Sequence, residues 1–166
     1  MRSWLITAGV FGLLAGARPL AAQEAGLAVG SRAPVVVVKD LDGQSVNLGR
    51  YIGHKPVLLE FWATWCEICR DLMPTVRAAH QEFGDRVAFF GVNVTVNQTP
   101  ERVRKYVAAE HPPFRTLYDE EGVSIRAYEA PTTSYVVIID RAGKVAYTGT
   151  GAAQDLASVL RAVTSQ

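Results

Sequence analysis

The chain has 166 residues and a formal net charge of +1 with both signs interspersed, so it carries neither a basic nucleic-acid-binding face nor an acidic tail. That length suits one domain with its own apolar core, and two cysteines are too few for a disulfide framework to replace such a core. No internal repeat or low-complexity stretch divides the sequence.

Residues 1–22 have the layout of a secretory signal: Arg2, an apolar run from Trp4 to Ala17, a break at Pro19, and small residues Ala21 and Ala22. The run is short for a membrane span, which takes ~20 apolar residues. Cleavage after Ala22 would place Leu20 where a small residue is preferred, so a retained N-terminal anchor is the alternative. Both readings export the protein, and with no cysteine in the segment lipidation there is excluded. Residues 23–33 are expected to be a linker, and 34–166 a single domain.

The domain opens with Val35-Val36-Val37-Val38 and Ser45-Val46-Asn47-Leu48 around Asp42-Gly43, a hairpin signal. Leu48 to Ile52 is a short connector, and His54-Lys55-Pro56 a turn in which His54 reads as a loop residue. Val57-Leu58-Leu59-Glu60-Phe61-Trp62 then suits a buried strand, and Arg70 onward a helix, which places Cys66 and Cys69 at a strand-to-helix junction. There the unpaired N–H groups and the positive end of the helix dipole favour a thiolate, the species that attacks a disulfide. Cysteines one turn apart can also pair with each other. A zinc site and a structural staple are the competing readings. Zinc lacks further ligands, since His54, His80 and His111 are scattered singly, and a staple closing so small a loop would constrain the unfolded chain little. The residues therefore favour a redox pair.

The segment FWATWCEIC, with Glu60 before Phe61 and Pro74 five residues after Cys69, resembles the active-site segment of the thioredoxin superfamily, and in detail its extracytoplasmic TlpA/ResA-like branch. The resemblance runs more weakly from about Gly30 to the C-terminus. It implies an α/β thioredoxin fold, a central mixed sheet flanked by helices, preceded by an N-terminal β-hairpin. It also places Glu60 as the buried acid behind the pair, able to relay a proton for Cys69. A carboxylate in an apolar strand is otherwise almost always paired, and desolvation would raise its pKa into the range a proton acceptor needs. Glu67, between the cysteines, should disfavour the Cys66 thiolate and give the pair a reducing character; as a first-turn acid it also suits the helix dipole. Trp65 is assigned to packing and to the apolar rim that receives a substrate, and Trp62 to the core.

The helix after the pair carries Leu72, Val76, Ala79, His80 and Phe83 at helical spacing and stops at Gly84, with Pro74 inside it. Val87 to Val94 reads as a strand. Glu101 to Glu110 is a helix capped by Thr99 with Pro100 at its first position, and His111-Pro112-Pro113 is a turn. Phe114 to Tyr118 is extended, Asp119-Glu120-Glu121 a solvated charge run, and Gly122 to Tyr128 a short helix. The strand Ser134 to Asp140 follows Ala130-Pro131-Thr132-Thr133. By resemblance Pro131 is the family's cis-proline facing the CxxC, with Ala130 and Thr132 beside it in the substrate groove and the Ala130 backbone groups free to pair with an extended substrate. Only Glu129 and Ala130 separate Tyr128 from Pro131, fewer residues than the branch commonly has, which implies a more open groove. Arg141 to Lys144 is a hairpin turn, Val145 to Thr148 its second strand, Gly149 to Gly151 a bend without a phosphate-loop Lys-Ser, and Ala152 to Val163 a closing helix.

The expectation is an exported thiol-disulfide oxidoreductase with no cofactor and no metal. Resemblance implies oxidised protein clients, such as apocytochrome c haem-attachment cysteines or copper-site thiols, and a membrane-bound electron donor. A Cu(I) chaperone holding its ion on the CxxC thiolates is the alternative from another class, although Thr64 stands where such modules often carry Met. A disulfide-introducing oxidase is the third.

Overall fold

A computed structural model describes residues 26–165; the signal or anchor segment expected at 1–22 lies outside them. In chain order the elements are β1 (Val37–Asp40), β2 (Ser45–Asn47), β3 (Val57–Trp62), α1 (Glu67–Phe83), β4 (Ala88–Asn93), α2 (Pro100–Glu110), β5 (Arg115–Tyr118), α3 (Val123–Ala127), β6 (Tyr135–Ile139), β7 (Val145–Gly149) and α4 (Leu156–Thr164). The strands form one mixed sheet in the order β2-β1-β5-β4-β3-β6-β7. β3, β4 and β5 run parallel, while β6 is antiparallel to β3, β7 to β6, and β1 to β5. This is the expected thioredoxin arrangement, with the hairpin β1–β2 extending the sheet beyond β5. Gly43, at φ 76, takes the left-handed turn position that Asp-Gly predicted.

All six residues of β3 are buried, because strands flank it on both sides and side chains cover both faces. Val57, Leu59 and Phe61 face a cluster with Val38, Leu48, Tyr128 and Tyr135. Leu58 faces the underside of α1 and α4, against Leu72, Val76, Leu156 and Leu160. Trp62 turns to a third cluster that contains Cys66, Cys69 and Val103. Burying each large apolar side chain contributes about 1.5–3 kcal/mol, so the strand before the cysteines is among the best-anchored parts of the molecule.

Gly91, at the centre of β4, pairs with Glu60 on one side and Thr116 on the other. A Cβ there would lie 2.2 Å from the ring of Phe114, which lies over the strand at that point.

Three segments differ from expectation. Of the stretch read as a linker, residues 26–33 are packed: Gly30 N–H donates to the Val145 carbonyl at 2.7 Å, Ala33 N–H to that of Gly143 at 2.9 Å, and Leu27 N–H to the Tyr135 hydroxyl at 3.0 Å. The strand edge of β7 offered unpaired groups, and this segment satisfies them. The closing helix starts at Leu156 rather than Ala152, because Asp155 caps it by accepting from Ser158 N–H, and the buried Gln154 amide donates to the carbonyls of Ser134 and Gly151. Asp119 is not a solvated charge. It is 2% exposed, and its carboxylate accepts from the N–H groups of Val123, Ser124 and Ile125 and from the Ser124 hydroxyl, satisfying the first turn of α3. Asp119→Ala would orphan those donors. Chemical denaturation should show a loss of about 2–3 kcal/mol, and a loss below ~0.5 kcal/mol would show that water replaces the carboxylate.

Candidate active site

The chain leaves β3 at Trp62, crosses Ala63, Thr64 and Trp65, and enters α1 with Cys66 as the N-cap residue, in extended geometry at φ −78° and ψ 104°. The sulfur acts as the cap: Cys69 N–H donates to Cys66 Sγ at 3.1 Å. A thiolate at the same position would receive that bond and the helix dipole together, which is the physical basis for assigning Cys66 as the nucleophile. Cys69 sits in the first turn. The two are joined as a disulfide with Cα atoms 5.3 Å apart, and both are buried, at 4% and 2% exposure.

Glu60 projects from the same face of β3 as Trp62, two residues on, and Trp62 packs in the cluster with both cysteines. It is fully buried, neither carboxylate oxygen has a hydrogen-bond partner, and desolvation pushes its pKa up to about 8. Among the described residues no ion pair offsets the burial. The neighbouring position across β4 is Gly91, which carries no side chain, and Phe114 covers it. Glu60 is therefore largely protonated at neutral pH, able to give a proton to a thiolate or to accept one back.

Glu67 is fully at the surface, its side chain 84% exposed, and its carboxylate lies 3.7 Å from Arg70 one turn on.

Trp65 is 48% exposed and is held in place by its indole N–H donating to the Val96 carbonyl at 2.8 Å. Ile68 and Val96 are exposed beside it, so the rim of the pair is apolar on this side. Sequence reading found Trp65 and missed Val96 and Gln98, which belong to the β4–α2 loop. Gln98 Oε1 accepts from Thr64 N–H at 3.1 Å and ties this loop to the approach to the CxxC. The one available signal was Asn97, a residue that tolerates the left-handed conformation it adopts at φ 54.

The expected cis-proline requires correction. Among the described residues no peptide bond is cis, and Pro131 is trans. The short connection from α3 makes its reversal with left-handed residues instead, Glu129 at φ 49 and Ser134 at φ 62. Pro131 and Thr132 are exposed on the loop leading into β6, at the same end of the sheet as the CxxC, because Ser134 N–H donates to the Phe61 carbonyl at 2.8 Å. The Ala130 N–H is not free either; it donates to the Ile125 carbonyl at 3.0 Å, and the methyl packs against the core. A substrate strand at this loop would have to pair with other backbone groups.

The comparisons with known proteins agree with this geometry. The family model described as Redoxin matches residues 28–163. The chain belongs to the redoxin family. Within that family it is similar to thioredoxin-like protein YneN of Bacillus subtilis, 34% identical over 126 residues that cover 74% of this chain and 72% of the relative. It is also similar to the thiol-disulfide oxidoreductase ResA of Geobacillus thermodenitrificans, 31% identical over 144 residues covering 85% and 81%. Among solved structures, one described as a thiol:disulfide interchange protein DsbE from Chlorobium tepidum superposes with a TM-score of 0.74 at 25% identity, over 83% of this chain and 99% of that one. This redoxin is a thiol-disulfide oxidoreductase of the TlpA/ResA-like kind, and disulfides are its substrates. Among its described residues no helix is long and apolar enough to cross a membrane.

Proposed function

We propose that this redoxin works outside the cytoplasm as a reductant of disulfides in client proteins. The observation that carries the reading is the Cys66–Cys69 pair itself, closed as a disulfide at the N-terminus of α1 beside an apolar rim and above a buried acid. In the reduced protein the Cys66 thiolate attacks a client sulfur; a mixed disulfide forms and the other client sulfur leaves as a thiolate. Cys69, having lost its proton to Glu60 in the minority of molecules where that carboxyl is ionised at neutral pH, attacks Cys66 Sγ. The intramolecular disulfide forms, the second client sulfur is released, and two electrons have passed to the client. A dithiol donor must then restore the pair, and a membrane-bound donor suits an exported protein. Haem-attachment cysteines of apocytochrome c and copper-site thiols are the client classes we favour, with Pro131 and Thr132 lining the far side of the substrate groove.

The reduction potential of the domain, measured against thiol buffers by Trp fluorescence, tests the direction. A value near or below roughly −270 mV is expected; one well above about −180 mV would make the protein an oxidant or isomerase of its clients. Glu67→Gln, measured alongside, should lower the Cys66 thiol pKa if Glu67 tunes the pair.

A further inference from the structure

The end of the sheet opposite the CxxC carries an unbalanced group of charges. β3 and β4 begin there and β6 ends there: Val57 pairs with Ala88 on one side and Ile139 on the other, and Ala88 N–H donates to the Pro56 carbonyl at 2.9 Å. At the rise of a strand, the six residues of β3 hold this end roughly 20 Å from the approach to the cysteines. Between the strand ends and the last turn of α4 lies a cavity of about 280 Å³ lined by Lys55, Pro56, Asp85, Arg86, Arg141 and Thr164. Three cations therefore line it against one carboxylate.

Structural roles do not account for all three. The ion pairs among the described residues join Glu67 to Arg70, Asp40 to Arg115 and Glu82 to Arg161, so none engages Asp85 or a cation of the cavity. The C-termini of α1 and α4 also lie at this end, and a helix C-terminus attracts positive charge. Arg86 answers that of α1: its guanidinium donates to the Glu82 carbonyl at 3.4 Å and lies 5.2 Å from the centre of the Phe83 ring. The end of α4 is closed by its own residues, with Ser165 N–H donating to the Arg161 carbonyl at 3.2 Å and the Thr164 hydroxyl to that of Leu160 at 2.7 Å. Lys55 and Arg141 serve neither helix. Lys55 is half-buried, yet its ammonium, with three donors, has no partner among the described residues.

We propose that this cavity binds an oxyanion of the phosphate class, held by Lys55, Arg86 and Arg141. A guanidinium presents parallel N–H groups that match two phosphate oxygens, and an ammonium adds a compact charge with rotatable donors. The cavity falls just short of the roughly 300–1,000 Å³ of pockets for drug-sized ligands, so it takes a phosphoryl group with little attached. Free phosphate and a phospholipid headgroup share this chemistry; bound to a headgroup, the domain would turn its CxxC away from the bilayer. No electron or proton moves, and the site stands whatever the CxxC reduces.

Titration of the protein with inorganic phosphate at constant ionic strength, chloride making up the balance, should shift the amide resonances of Lys55, Arg86 and Arg141 saturably. Those of Cys66 and Cys69 should stay in place. Arg141→Gln and Lys55→Gln should each weaken the affinity about tenfold, the scale of one charge-assisted hydrogen bond. Lys144→Gln, at an exposed position on the same turn as Arg141 but outside the cavity, should leave it unchanged. Sedimentation with phosphatidylcholine vesicles, with and without phosphatidylglycerol, separates the two sources. Pelleting that needs the anionic lipid, is competed by phosphate and is lost in Arg141→Gln assigns a headgroup; absent pelleting, or pelleting indifferent to Arg141→Gln, assigns free phosphate. No saturable shift, an affinity that neither Arg141→Gln nor Lys55→Gln lowers, or one that Lys144→Gln lowers as much, overturns the site.

Discussion

Replacing Glu60 by Leu is expected to remove most of the pH dependence of stability and to leave the protein more stable than wild type in alkaline solution. The carboxyl titrates near 4.5 in an unfolded chain and is pushed up to about 8 in the fold by burial. Below pH 4.5 it is protonated in both states and contributes no difference. Between 4.5 and 8 the unfolded chain ionises while the native protein must hold its proton, so native stability falls by about 1.4 kcal/mol for each pH unit. Above 8 the native carboxylate is ionised without a partner and the loss, roughly 5 kcal/mol by that gap, is complete. This is a large share of the 5–15 kcal/mol typical of a domain. Urea unfolding of the oxidised protein at pH 5 and pH 9 should show the wild type losing several kcal/mol and Glu60→Leu staying nearly level. A flat wild-type profile would mean that the carboxyl is hydrated in the fold far better than its burial implies. The same substitution should slow turnover, since the stability gained comes from deleting the group that exchanges the proton.

Replacing Cys69 by Ser is expected to convert the enzyme into a trap. Cys66 keeps its position at the N-cap and the backbone N–H of residue 69, so it still attacks a client disulfide. The mixed disulfide then has no thiol within the first turn to displace it, and a hydroxyl cannot take that role. Steady-state reduction should fall by at least about a thousandfold, on the scale seen when one member of a catalytic unit is lost. Covalent adducts should accumulate on non-reducing gels and identify clients directly. Cys66→Ser should yield neither turnover nor adducts. Adducts that form equally well with Cys66→Ser would reverse the assignment of nucleophile and resolving cysteine.

Much of this was legible in residue order. The apolar run of β3, the dipeptide Asp42-Gly43, and Thr99 with Pro100 each carry a local physical signature, and each produced the element expected. The acid in β3 was legible because a charge in a doubly buried strand contradicts its surroundings. What failed was what depends on partners distant in sequence. Asp119 reads as one of three consecutive acids, and only the fold shows that the loop turns back so that its carboxylate meets the N-terminus of α3. Local preference alone favours a trans bond before proline, and the cis expectation for Pro131 came from resemblance rather than from its own residues. Val96 and Gln98 gave no signal, since their role comes from where the β4–α2 loop comes to rest beside Thr64 and Trp65.

The ring of Phe114 over Gly91 makes those two positions a single unit of inheritance. Because a Cβ at 91 would lie 2.2 Å from that ring, a side chain there requires the phenylalanine to move or be replaced, and the loss of the phenylalanine leaves a hollow beside Glu60. Relatives that carry a larger residue at the first position should carry a smaller one at the second, changing as a pair or not at all. A lineage that made both changes could place a basic side chain next to the buried acid and lower its proton affinity. The identity of two residues outside the CxxC motif would then decide at what pH such an enzyme works.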